Sequence, residues 1–163
     1  MNREFDLIIY GATGFTGKLA VEYIDNNYSD LKWAIAGRNS EKLNQISNST
    51  KSKPPIFTAR SDDGDSLSEV VKKTKVIASL AGPFSKYSNE LVNQCYENNT
   101  NYVDITGENI WVRDLIDRYH KGCEEKGIFI IPSCGYDSIP SDIGSFYCHM
   151  MLNENIDHID GYH

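Results

Sequence analysis

Gly11, Gly14 and Gly17 stand at three-residue intervals near the start of the chain, after the apolar run of residues 7–10 and before a stretch of helical periodicity. Each has a physical use. Gly11 lets the backbone turn sharply as it leaves a strand. Gly14 has no side chain to obstruct a pyrophosphate, and Gly17 lets the next helix lie close to the strand. The free N–H groups and the dipole at that helix start favour phosphate. Strand, glycine turn and helix in this order form the opening unit of a dinucleotide site. A tight turn with no ligand is the plainer reading of the same residues. Residues 12–18 also approach a nucleotide-hydrolase loop, but Leu19 stands where that motif needs a Ser or Thr hydroxyl for magnesium.

The end of the second strand should decide which cofactor enters. An NAD site places Asp or Glu about 20 residues past the glycines, on the ribose hydroxyls. Here the count lands on Gly37-Arg38-Asn39, with no acid. Arg38 can instead pair with a 2′-phosphate and lie over the adenine face. Asn39 adjoins it, and Ser40 and Lys42 can assist. NADP is therefore the expected cofactor and NAD the alternative; a solvated loop arginine is the competing reading. Asp62 or Asp63, after the third strand, can accept from the adenine amino group. Ala81-Gly82-Pro83-Phe84, after the fourth strand, should pass under the nicotinamide half, where a small residue and a fixed turn keep the backbone close. A plain strand-ending turn would read almost the same.

No catalytic group stands out. Tyr28 and Lys32 match the Y-x-x-x-K spacing of short-chain reductases, but that pair belongs on a helix after the fourth strand, so the match is coincidence. His120, His149, His158 and His163 lack metal-ligand spacing, and no metal is expected.

The elements that must position these residues alternate along the chain. In the first helix, Phe15, Leu19 and Tyr23 form one row, with Ala20 and Ile24 beside it, the spacing of one buried face. Strands are expected over residues 32–37, 56–59, 75–80, 102–105 and 128–131. The last is continuously apolar, as a strand covered on both faces should be. Asn39 or Ser40 can cap a helix with Leu43 and Ile46 inward. Ser66-Leu67-Ser68-Glu69 reads as a capping box, and Leu91, Val92 and Cys95 mark another helix. The clearest helix holds Val112, Leu115, Ile116, Tyr119 and Cys123 and stops at Gly127. Beyond the loop of residues 133–141, Ser141 can cap a final helix with Ile143, Phe146, Tyr147, Met150 and Met151 on one face. The alternation predicts a doubly wound parallel sheet, an α/β dinucleotide-binding (Rossmann) fold, over residues 1–152. Residues 153–163 read as the start of a connection.

Composition narrows the partners. The 163 residues hold 16 basic and 23 acidic side chains, a net charge of −7. With no basic run, a nucleic-acid or anionic-membrane surface is not expected. Residues 1–4 lead straight into the first strand, with no apolar leader and no membrane-spanning stretch. Cys95, Cys123, Cys134 and Cys148 contain no C-x-x-C pair and read as reduced thiols, which points to the cytoplasm. Three Asn-x-Ser/Thr triplets are read as chance.

Taken together, the glycine loop, Ala36-Gly37-Arg38, Ala81-Gly82-Pro83-Phe84, Tyr102-Val103-Asp104-Ile105-Thr106-Gly107-Glu108 and Cys134-Gly135-Tyr136-Asp137-Ser138-Ile139-Pro140-Ser141-Asp142 resemble one family. The chain is similar to the N-terminal part of the saccharopine dehydrogenase-like oxidoreductases, which include the trans-acting enoyl reductases of lipid synthesis. The resemblance implies an NAD(P)-binding domain followed by a second α/β domain that completes a small-molecule substrate site. It implies that Gly11, Thr13, Gly14, Phe15 and Gly17 bind pyrophosphate and that Arg38 faces the adenosine ribose. Ala81, Gly82 and Pro83 would line the nicotinamide side, and Gly135 to Ser138 the cleft between domains. The family's second domain is missing from this chain, so the expectation is cofactor binding without turnover, and pairing with a second copy to cover apolar surface. Were the chemistry within this chain, Tyr87, Tyr136 and Asp137 would be the residues to mutate first. A non-catalytic NADP(H) sensor or interaction module is the alternative function.

Overall fold

The computed structural model describes residues 3–152 and 157–161. Six strands, β1 (Phe5–Tyr10), β2 (Trp33–Gly37), β3 (Ile56–Thr58), β4 (Thr74–Ser79), β5 (Asn101–Asp104) and β6 (Ile130–Ile131), form one parallel sheet. Their order is β3-β2-β1-β4-β5-β6. Helices α1 (Phe15–Asn27), α2 (Ser40–Ser49), α3 (Gly64–Val71), α4 (Phe84–Tyr87), α5 (Asn89–Glu97) and α6 (Asn109–Lys126) connect them, and α7 (Ile139–Leu152) follows β6. The chain winds outward from β1 to β3, then returns to lay β4 on the other flank of β1. The strand order therefore reverses between β1 and β4, which makes the doubly wound fold expected from the alternation.

Two core layers hold the sheet. On one face Ile9, Trp33 and Ile35 pack with Val21 of α1 and Leu43 of α2. On the other, Ile8, Ile77 and Tyr102 pack with Leu67 of α3, Leu91 of α5, and Trp111 and Leu115 of α6. The left-handed Gly127 ends α6, as its position predicts.

Coverage is uneven. Strand register places Ile35, Ile9, Ala78, Val103 and Ile131 in one row on the α1–α2 face. Ile35 and Ile9 are fully buried, whereas Ile131 is 47 % exposed and Phe129, on the same side, 65 %. The core cluster of that face includes no residue of β5 or β6. The expected cover on both faces of residues 128–131 is thus corrected: Ile128 and Ile130 pack with the α6 layer, and the opposite face is open.

The helix expectations need three corrections. The row Phe15, Leu19 and Tyr23 faces outward, at 84, 52 and 59 % exposure, and the buried side of α1 is Gly17 and Val21, with Ala20 and Ile24 packed beside them. Gly17 takes the inner side because α1 lies too close to the loop for a side chain there. Helix α3 begins at Gly64, capped by the Asp63 side chain on Ser66 N at 3.2 Å, so Ser66 lies within the first turn. Helix α7 begins at Ile139, which puts Ser141 in its first turn, and its apolar residues are all exposed, Ile143 at 53 % and Met151 at 66 %. Residues 153–156 and 162–163 of the expected connection lie outside the described residues. Among the described residues, no helix is long and apolar enough to cross a membrane, and no cluster of His, Cys, Asp and Glu is arranged to hold a metal ion.

Candidate functional site

The site is built where strand order reverses. At the end of β1, Gly11 takes φ +83°, a conformation side chains disfavour. Its N–H donates to Ala36 O at 2.9 Å, and Ala12 N to the same oxygen at 3.3 Å, so the loop is tied to β2. A side chain at Gly11 would meet Ala81 Cβ at 2.9 Å, so the loop also leans on the turn after β4. A side chain at Gly17 would enter the Gly11 carbonyl and come within 2.8 Å of Ala12 Cα. Close approach of helix to loop is thus what Gly17 provides. Gly14 caps α1 and supplies no side-chain hydrogen bond to it. The first-turn N–H groups, without partners inside their own helix, are left for a ligand.

One cavity joins these parts. The glycine loop contributes Gly11, Thr13 and Gly14, and the end of β2 contributes Gly37 and Arg38. The turn after β4 contributes Leu80, Ala81 and Gly82, and α4 contributes Tyr87. Tyr10 and Ser61 complete the wall. Arg38 is exposed and makes no ion pair among the described residues. Tyr10 is buried, which pushes its hydroxyl up to about 12 and keeps it protonated. A larger groove between α1 and α2 shares only Thr13 with this cavity. Of its two acids, Glu22 and Asp25, the second is already bonded to the backbone N–H groups of Lys51 and Ser52.

Of the residues expected at the site, Gly11, Thr13, Gly14, Arg38, Ala81 and Gly82 come together on this wall. The others stand apart from it. Phe15 is the exposed first residue of α1, and Gly17 lies behind the loop. Asn39 caps α2, accepting from Lys42 N at 2.9 Å. Asp62 forms an exposed two-pronged pair with Arg60 at 3.0 and 2.9 Å. Pro83 follows a cis bond from Gly82 and caps α4. Gly135 packs on Ile105, whose Cβ would lie 3.2 Å from a side chain at that position.

Two carboxylates had no role assigned from the sequence. Asp104 is 2 % exposed; its Oδ1 accepts from Thr106 N and Ser133 N, each at 3.0 Å, and its Oδ2 from the Tyr102 hydroxyl at 2.8 Å. Burial raises its carboxyl above the ordinary value against the pull of these donors. Glu108 accepts from Phe84 N at 2.6 Å and Ser85 N at 3.2 Å. Hydrogen bonding, from Ser85 above all, lowers its carboxyl. Neither spacing nor periodicity marks the contacts to Ser133, Phe84 and Ser85, because those partners lie on other strands' loops.

The residues of the cavity fit a phosphorylated dinucleotide: a glycine-rich loop, a helix start and a guanidinium without an ion pair among the described residues, at the reversal point. Comparison with known proteins agrees. The saccharopine dehydrogenase NADP binding domain matches residues 7–131. A trans-acting enoyl reductase of Mycobacterium tuberculosis is 37 % identical over 88 % of this chain and 35 % of its own length. A lipid droplet localized protein of Caenorhabditis elegans is 31 % identical over 98 % of this chain and 39 % of its own. The chain thus spans well under half the length of these relatives. Among solved structures, saccharopine dehydrogenase from Saccharomyces cerevisiae superposes with a TM-score of 0.74 at 16 % identity, covering 91 % of this chain and 31 % of that one. Triphenylmethane reductase from Citrobacter, solved with NADP(H), gives 0.60 at 12 % identity, covering 77 % of this chain and 48 % of that one. By this sequence match, the chain belongs to the saccharopine dehydrogenase family as its NADP-binding domain.

Proposed function

We propose that residues 1–152 are the cofactor domain of an NADP(H)-dependent reductase, with residues 153–163 leading toward a substrate domain. One observation carries the reading: the glycine loop, Arg38 and the turn at Ala81 and Gly82 line one cavity at the strand-order reversal. In this fold a dinucleotide lies across that crevice. The α1 amide groups at Gly14 and beyond would hold the pyrophosphate. Arg38, with no carboxylate competing for it, would pair with the 2′-phosphate. Ala81 and Gly82 would run beneath the nicotinamide, and Gly135, from the loop after β6, would border it toward the substrate. When bound, the cofactor supplies a hydride. This chain's residues bind it, orient it and close one side of it to water. The trans-acting enoyl reductases and the lipid droplet protein among the relatives support an enoyl or carbonyl group on a lipid-like molecule as acceptor. The free cysteines suit a reducing cytoplasm. The exposed apolar residues of α7 suit a pair of copies in solution.

The test is Gly14→Val. A side chain there begins only 3.3 Å from the Gly11 carbonyl, and valine adds a branch over the phosphate path. The expected result by calorimetry is loss of NADPH binding with an unchanged far-UV spectrum. Unchanged affinity would sink the assignment.

A further inference from the structure

The five residues 104–108 join two parts of the molecule that the chain keeps far apart. Glu108 spends both carboxylate oxygens on consecutive N–H groups, Phe84 N and Ser85 N, where α4 begins. Those groups follow Ala81 and Gly82 with only Pro83 between, and α4 itself delivers Tyr87 to the cavity. Four residues earlier, Asp104 grips the loop after β6: its side chain accepts from Ser133 N, and its carbonyl accepts from Cys134 N at 2.7 Å. Between the two acids, Ile105 is the surface on which Gly135 rests. Thr106 braces the segment from within. Its N–H donates to Asp104 Oδ1, and its hydroxyl accepts from Glu108 N at 3.1 Å.

We propose that Glu108 and Asp104 are positioning residues that set both walls of the nicotinamide half, the turn at 81–87 and the loop at 133–135. The proposal rests on the cofactor site proposed above. Neither acid touches the adenosine half: the glycine loop is tied to Ala36 O, Gly37 O accepts from Ala59 N at 3.0 Å, and Asn39 caps α2. The two halves of the cofactor should therefore respond differently when the segment is cut.

Binding of NADPH and of 2′,5′-ADP, which lacks the nicotinamide, separates the cases. Both are measured by calorimetry on the whole chain and on Glu108→Ala, with Glu108→Gln as the conservative variant that keeps one acceptor oxygen. Loss of two hydrogen bonds to a charged group should weaken NADPH about tenfold or more in Glu108→Ala. It should leave 2′,5′-ADP within about twofold, and Glu108→Gln should fall between. Equal weakening of both ligands would reduce Glu108 to a general structural role and overturn the proposal, as would unchanged NADPH affinity. Asp104→Asn, which keeps an acceptor for Ser133 N, should show the same selectivity at smaller size. If the unaltered chain binds neither ligand, the site itself is wrong and this inference falls with it. If it binds both and the variants change nothing, only the positioning role fails.

Discussion

The two halves of the sheet are built differently. Around β1, β2 and β3 both faces are covered, by α1 and α2 on one side and by α3 on the other. Around β5 and β6 only the α5–α6 face is covered. Ile9 and Ile131 share one row yet differ from 0 to 47 % exposure. The proposed cofactor would straddle this divide, with adenosine on the closed half and nicotinamide on the open one. Closed packing for recognition and an open flank where another surface could approach would suit a domain that forms one part of a site.

The largest expected effect tests the packing contrast directly. Ile9→Ala removes a fully buried side chain and should cost about 2–5 kcal/mol in urea unfolding. Ile131→Ala, half in water already, should cost about 1 kcal/mol or less. Equal costs would mean that the open face is covered in solution. The next effect lies on the closed half of the site. Arg38→Ala should lower NADPH affinity about ten- to a hundredfold, the value of a charge-assisted hydrogen bond. It should leave NADH unchanged, so the two cofactors become equal; equal affinities before mutation would count against Arg38 as the reader.

The smallest effect contrasts the two acids of the linking segment. Glu108 lies below its ordinary 4.5, so its hydrogen bonds stabilise fully above that value and are lost as pH falls through the lowered one. Asp104 lies above its ordinary 3.8, so its contribution is full below that value and is lost as pH rises through the raised one. Carboxyl NMR should therefore show Glu108 titrating below 4.5 and Asp104 above 3.8; Glu108 at or above 4.5, or Asp104 at or below 3.8, would contradict the geometry.

The fold and the loop at its centre were legible because they rest on local patterns. The turn needs Gly11 and Gly17, and the alternation of apolar runs with helical rows allows few topologies. Two kinds of feature were not legible. Periodicity shows that Phe15, Leu19 and Tyr23 share a side of α1, but not that Gly17 and Val21 take the inner one. A continuous apolar run such as residues 128–131 shows an apolar strand, not what covers it. Asn39, Asp62 and Asp63 had types suited to the cofactor; the first and last instead cap helices and the second pairs with Arg60. Asp104 and Glu108 were noticed only as members of a motif, since their distant partners come from loops after β4 and β6.

The contact between Gly11 and Ala81 has a consequence for synthesis. The glycine loop leaves the ribosome 70 positions ahead of the surface it leans on. At about 5–20 residues per second, β1 waits roughly 4–14 s with one flank unpaired. Arrested nascent chains should show protease protection of β1 only once β4 has cleared the tunnel. The glycine loop is thus made well before it can take its final shape, and during that wait a central strand has the exposure of an edge.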